Sequence, residues 1–214
     1  MNLFSSMQDR SMKFDVKRRT DPERAQNRRN QVLQAAAVCF ARSGFHGASM
    51  SEISKEAGMS AGHIYNYFEN KEAIVMAFVD LEVEHVTGQL RELEGKDDPL
   101  QSMIDDAPRH VDESLDPQFF QLPLEMFAEA ARNPKIAEAL RAGDQAAMNR
   151  FRPIIKRERE RRGLPVDDEL LDGRIDTVVS LFHGLPIRSL HRPQLNRSSL
   201  VEGYRVALKA LLLT

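Results

Sequence analysis

One cysteine, Cys39, and no tryptophan occur in the 214 residues. A single thiol excludes a disulfide framework and a cysteine-built zinc site, and it suits a reducing compartment. Long hydrophobic runs are missing too: stretches such as Ala35 to Phe40 fall far short of the roughly 20 residues that a bilayer span requires. The opening MNLFSSMQDRSMKF has no apolar core of signal-peptide length, so a cytoplasmic location without a membrane partner is expected. Neither sign of charge is in large excess, with 30 Lys+Arg against 32 Asp+Glu; together with 42% hydrophobic residues this excludes a disordered chain. Enzyme signatures are also absent. Gly47-Ala48-Ser49-Met50-Ser51 lacks the closing glycine of a nucleophile elbow, and there is no phosphate-binding G-x-x-x-x-G-K-[ST] loop or H-E-x-x-H. Glu82 and His85 have the Glu-x-x-His spacing of a di-iron bundle, but no other histidine has a glutamate three residues before it. No catalytic residue, metal or cofactor is therefore expected.

What the sequence does contain is helix after helix, without a sustained period-two alternation that would build a sheet. Charge is uneven along the chain. Between Arg10 and Lys71 stand 11 Lys/Arg against 6 Asp/Glu, and Lys17, Arg18, Arg19, Arg24, Arg28 and Arg29 crowd into thirteen residues. One positive face suffices for phosphate contact even at an overall pI near 6.3. After an aperiodic stretch over residues 1–20, Thr20 to Glu23 has capping-box spacing with Pro22 in the first turn, opening a helix that Gly44 stops. Its apolar positions are Val32, Leu33, Ala36, Ala37 and Phe40.

Ser49 to Glu52 is a second capping box, opening a short helix that buries Ile53 and Ala57 and stops at Gly58. Ser60 caps again, and a helix from Ala61 to about Phe68 buries Ile64 and Phe68. Three residues between two short helices force a steep crossing, the geometry of a helix-turn-helix. Such a motif sets the start of its second helix in the major groove of DNA. Ala61 and Gly62 permit close approach, His63 and Asn66 can donate to bases or phosphates, and Tyr65 and Tyr67 offer hydroxyls to phosphates and ring faces to thymine methyls. Lys71, at the N-terminus of a helix running to about Glu94, can hold a phosphate.

The run Gly44 to Ile74, GFHGASMSEISKEAGMSAGHIYNYFENKEAI, resembles the DNA-binding signature of TetR-type transcriptional regulators, and Val32 to Ala41 resembles that family's first helix. The resemblance implies an all-α fold with an N-terminal three-helix head (21–72) after a basic arm (1–20), and a helical ligand-binding and dimerisation body (73–214). It implies phosphate contacts from Ser49, Ser51, Tyr65, Tyr67 and Lys71, with Ala61, Gly62, His63 and Asn66 facing bases or lying beside them. Where the family commonly has Thr-Thr or Thr-Ser this chain has Ala48-Ser49, and Cys39 stands at a usual leucine, which makes it core filler. For Lys17, Arg18 and Arg19 two readings stay open: a DNA-contacting arm or an ordinary tail.

The body must be read from composition. Met103, Phe119, Phe120, Met126, Phe127, Met148 and Phe151 are either candidates to line a cavity for a largely apolar effector or plain core, and His85, His110 and His183 are its polar candidates or else satisfied or exposed histidines. Lys156, Arg157, Arg159, Arg161 and Arg162 read as a solvated helix end. Ile175, Val178, Val179, Phe182 and Leu185, with Leu200, Tyr204, Ala207, Ala210 and Leu211, form apolar stripes on the last two helices, suited to a four-helix interface or to intrachain core. The function these readings imply is a homodimeric repressor released from a palindromic DNA operator by a small molecule. An enzyme and a helical interaction module without DNA binding are the alternatives, and His63, Tyr65, Asn66 and Tyr67 speak against the second.

Overall fold

A computed structural model of the protein describes residues 21–214; the arm, and with it Lys17, Arg18 and Arg19, lies outside the described residues. All regular structure among the described residues is helical: α1 (Asp21–Gly47), α2 (Met50–Glu56), α3 (Ala61–Ile64), α4 (Lys71–Glu94), α5 (Pro99–Asp105), α6 (Ala107–Leu115), α7 (Pro117–Ala130), α8 (Pro134–Arg161), α9 (Asp168–His191) and α10 (Arg197–Leu213). The contacts gather these into two compact units, one formed by residues 21–83 with Gln121–Gly143, the other by Glu84–Phe120 with Asp144–Thr214.

In the first unit the three- and four-residue apolar spacing of α1 does what it promises: Val32, Leu33, Ala36 and Phe40 are essentially inaccessible. Cys39 is 1% exposed, and burial pushes its thiol up from the usual range, as core filler requires. Gly44 breaks α1 at φ 69°, ψ 168°, a conformation that favours glycine, and the helical path resumes only to Gly47. Ile53, Ile64, Phe68, Ile74 and Phe78 close the core from α2 to α4. Leu122 and Met126 of α7 and Ile136 of α8 belong to the same cluster, which is why residues from beyond the motif join this unit. A close helix approach is built in at Gly143, where a Cβ would lie 2.3 Å from Cγ2 of Val83.

The second unit holds two apolar clusters. Leu100, Ile104, Phe151, Ile155, Leu171, Ile175, Val178, Leu208 and Leu212 form one. Ala107, Val111, Leu185, Val201 and Tyr204 form the other. Several boundaries in this unit have local reasons. The stretch from Leu100 to Leu115 is two helices, because the Pro108 ring would collide with the carbonyl one turn earlier; the chain stops at Asp105 and restarts at Ala107. Pro153 does not break α8. The cap of α10 is Asn196, whose Oδ1 accepts from the Ser199 amide at 2.9 Å. Arg159 departs furthest from expectation: it is 2% exposed rather than solvated.

Candidate nucleic-acid interface

The two short helices are fixed by the local chemistry their sequences announce. Ser49 Oγ accepts from the Glu52 amide at 3.1 Å, and Glu52 Oε2 accepts from the Ser49 amide at 2.8 Å, closing the capping box. Donation from the Ser49 amide first, and then from the Ser49 hydroxyl, holds the Glu52 carboxyl below its usual range. The Ser49 hydroxyl also donates to Glu52 at 3.0 Å, so its hydrogen is used inside the box. Gly58 at φ 61° turns the chain, and Ser60 Oγ accepts from His63 N–H at 3.3 Å to start α3. Gln31 Nε2 donates to the Ala57 carbonyl at 2.6 Å, tying α1 to the end of α2.

The second helix is shorter than the sequence suggests. After Ile64 the chain winds tighter, with i to i+3 bonds from Asn66 to His63 and from Tyr67 to Ile64, so residues 65–67 are turn rather than α-helix. Burial of Ile64 and Phe68 on one side pulls this turn against the core. The opposite side presents Ala61, Gly62, His63, Tyr65 and Asn66 to solvent, with Tyr65 54% exposed and Tyr67 half-buried. Tyr67 Oη lies 3.3 Å from His63 Nε2, joining a candidate base reader to a candidate phosphate contact. Ser51 is exposed on α2. The Arg29 guanidinium sits 4.7 Å from the Phe68 ring centroid, a placement beside the turn that periodicity could not reveal because it depends on the crossing of α1.

Lys71 is placed differently from the expectation that its ammonium faces solvent and phosphate. Its Nζ donates to the carbonyls of Phe45 at 2.6 Å, Ala48 at 2.5 Å and His46 at 3.3 Å, and lies 4.8 Å from the Phe45 ring centroid. An ammonium has three hydrogens, and all three have acceptors here.

The residues singled out in the body fall into separate groups. Met103, Met148 and Phe151 share the first cluster of the second unit. Phe119 is half-buried and Phe120 buried. Met126 fills the core of the first unit and Phe127 is 43% exposed, so neither joins them. His110 packs on Phe182 and Tyr204, with ring centroids 4.2 and 5.5 Å away, and its Nε2 lies 3.2 Å from Ser114 Oγ. His85 shares the Glu113 and Arg109 charges with His110, whereas His183 is exposed. Tyr204 Oη donates to the Leu181 carbonyl at 2.6 Å, and burial raises its pKa to about 12.

Burial drives the His110 pKa down to about 4, so the folded protein holds this imidazole neutral. The unfolded chain takes up that proton near pH 6.5 and the folded one only near 4. This contribution is therefore intact above pH 6.5 and is lost as pH falls through that window, amounting to roughly 2–3 kcal/mol by its lower end. His110→Gln should flatten the drop in urea midpoint between pH 7 and 4.5; an unchanged pH slope would acquit His110.

Of the dimer candidates, Ile175, Val178, Leu185 and Tyr204 are buried within the chain, Val179, Phe182, Leu200, Ala207 and Leu211 are partly buried, and Ala210 is exposed. The apolar row that periodicity picks out is the inward one. The row beside it on α9 is exposed at Gly173, Thr177, Ser180, Gly184 and Ile187, and on α10 at Ser199, Gly203, Val206 and Ala210.

Residues 32–78, which contain both short helices and their supports, match the family described as "Bacterial regulatory proteins, tetR family". Over these residues the chain is TetR-like. The HTH-type transcriptional regulator UidR of Escherichia coli K12 is 33% identical over 121 residues, covering 55% of this chain and 59% of UidR's own length. The HTH-type transcriptional regulator CymR of Pseudomonas putida is 29% identical over 182 residues, covering 81% of this chain and 85% of CymR. Among solved structures, the transcriptional regulator FadR from Bacillus subtilis in complex with stearoyl-CoA superposes with a TM-score of 0.68 at 20% identity, covering 86% of this chain and 97% of FadR. A TetR-type head followed by a helical body is thus the fold, and DNA-binding regulation is the kind of function to which the similarity points. No helix among the described residues is long and apolar enough to cross a membrane.

Proposed function

We propose that this TetR-type chain is a homodimeric repressor that binds a palindromic DNA operator through the surface Ala61–Asn66 and releases it when a small molecule enters the body. The observation that carries the reading is the solvent-facing set Ala61, Gly62, His63, Tyr65 and Asn66 on a head anchored by two side-chain caps. Two such heads related by a two-fold axis meet successive major grooves roughly 34–36 Å apart. His63 and Asn66 read bases, while Ser51, Tyr65 and Tyr67 grip phosphates. The effector favours a conformation whose heads no longer match the operator, since equal affinity for both states shifts nothing. A coupling of roughly 1–3 kcal/mol is enough for a useful switch. Met103, Met148 and Phe151, gathered in one apolar cluster of the second unit, support a largely apolar effector, and the stearoyl chain of the stearoyl-CoA bound to FadR is an apolar group held on a similar fold.

The test is selection of duplexes from a randomised pool by the full chain. Tyr65→Ala should weaken binding about 3- to 10-fold whatever the sequence. Either His63→Ala or Asn66→Ala should relax preference at a base pair worth about 1–3 kcal/mol. Preference unchanged in both would show that neither reads bases.

For the dimer, the support lies in the exposed small-residue rows of α9 and α10, which let helices from two chains approach closely, with Ile187 and Val206 as apolar contacts. Val206→Asp should convert the dimer to a folded monomer in sedimentation, because Val206 is 59% exposed and holds no intrachain core. A dimer that survives this change is built on another face.

A further inference from the structure

The segment Gly44–Ala48, from the break in α1 to the Ser49 cap, is held from two directions, and one of them lies outside the DNA-binding motif altogether. Lys71 takes its carbonyls. From α7, Glu125 Oε2 accepts the amide hydrogen of Phe45 at 3.0 Å, 80 residues away along the chain. One turn further along α7, Glu129 is 95% buried; its Oε2, which has no hydrogen-bond partner among the described residues, faces the largely exposed His46 imidazole, with Nε2 3.1 Å away, and Nη2 of Arg132 at 4.0 Å. Burying a carboxylate is unfavourable unless it is paired, so Glu129 is placed at an expense that only its neighbours offset. The same face of α7 inserts Leu122 and Met126 into the core of the first unit. Two apolar anchors and two carboxylates thus converge on the turn that leads into α2.

We infer that Glu125 and Glu129 are positioning residues for DNA binding: by fixing Phe45 and His46 they set the direction in which Ser49 starts α2, and so the aim of α3. The inference rests on the DNA-binding reading of the head and adds to it two residues from α7. Gly44 makes this hold necessary. Its φ of 69° frees the chain from the α1 helix just before Phe45, and the Phe45 amide is claimed by Glu125 instead of by a helical carbonyl. The Ala48 amide returns to the Gly44 carbonyl at 3.1 Å, which closes the turn on itself. Neither carboxylate can touch a phosphate favourably. Their effect on DNA must therefore pass through the turn and carry no salt signature of its own.

The experiment uses the full chain and a duplex that the unaltered protein selects from a randomised pool. Glu125→Ala and Glu129→Ala should each weaken binding about 5- to 30-fold. The slope of log affinity against log salt should not change. Amide exchange over residues 45–60 should accelerate about tenfold while protection of Ile74–Val79 is kept. Glu125→Gln retains an acceptor oxygen for the Phe45 amide and should restore most of the affinity. Binding within about twofold of the original in both alanine variants, a reduced salt slope, or loss of protection that extends through Ile74–Val79 overturns the inference; the last would make these residues general supports of the unit. If the unaltered chain selects no duplex, the DNA reading falls by itself. Exchange then decides the remainder: acceleration confined to 45–60 upholds the hold of α7 on the turn, and unchanged exchange removes it.

Discussion

Lys71→Met should lower the stability of the first unit by about 2–4 kcal/mol and leave the salt dependence of DNA binding as it was. Methionine keeps most of the apolar stem and removes only the ammonium, so the loss isolates what the charge does. The carbonyls of Phe45, His46 and Ala48 lose their shared donor at once, and an acceptor left unpaired away from water forfeits roughly 1–3 kcal/mol. Loss of the cation over the Phe45 ring adds about 0.5–1 kcal/mol. Read from sequence alone, the same residue is a phosphate contact, whose removal would flatten the salt slope by about one unit per half-site. The two roles therefore separate in one titration. Chemical denaturation followed through the head, together with DNA affinity measured across salt at a temperature where the variant stays folded, distinguishes them. A flattened slope with intact stability would restore Lys71 to the phosphate and dismiss the clamp.

Lys71 also shows where sequence reading reaches its limit. The caps at Ser49 and Ser60 are legible because the groups that pair lie three residues apart and the pairing follows from backbone geometry. The glycine stops at Gly44 and Gly58 are legible for the same reason, since a positive φ is a local requirement. What Lys71 points at depends on a turn more than 20 residues earlier, and what holds that turn comes from α7; no spacing rule spans those distances. The early end of α3 had no announcement either, because Tyr65-Asn66-Tyr67 is compatible with helix and turn alike, and the burial of Phe68 decides between them. On α9 and α10 the period of 3.6 residues correctly identifies an apolar row, but it cannot say whether that row faces its own chain. The exposed neighbours Gly173, Gly184 and Gly203 give no hydrophobic signal at all.

Arg159→Met should destabilise the second unit by about 2–5 kcal/mol, although in sequence Arg159 is one of five basic residues at a helix end. Its guanidinium donates from Nη1 to the Leu212 carbonyl at 2.9 Å, from Nη2 to Thr214 at 2.7 Å and Pro165 at 2.9 Å, and from Nε to Pro165 at 3.2 Å. Arg174 supplies the companion bonds from Nη1 to the carbonyls of Ala210 at 3.1 Å and Leu211 at 2.8 Å. The last turn of a helix leaves its carbonyls without intrahelical donors and carries the negative end of the helix dipole, and here two guanidiniums satisfy both needs for α10. Burial, and then the neighbouring Arg174 charge, push the Arg159 pKa down, yet a guanidinium stays charged and its fork of donors remains complete. Lysine has no such fork, so Arg159→Lys should recover only part of the loss. Arg157→Met, at a half-exposed neighbour, should stay within about 0.5 kcal/mol of the unaltered protein. Urea unfolding of the three variants orders them. If Arg159→Met proves as mild as Arg157→Met, the end of α10 is held by packing alone and the arginine clasp has no energetic role.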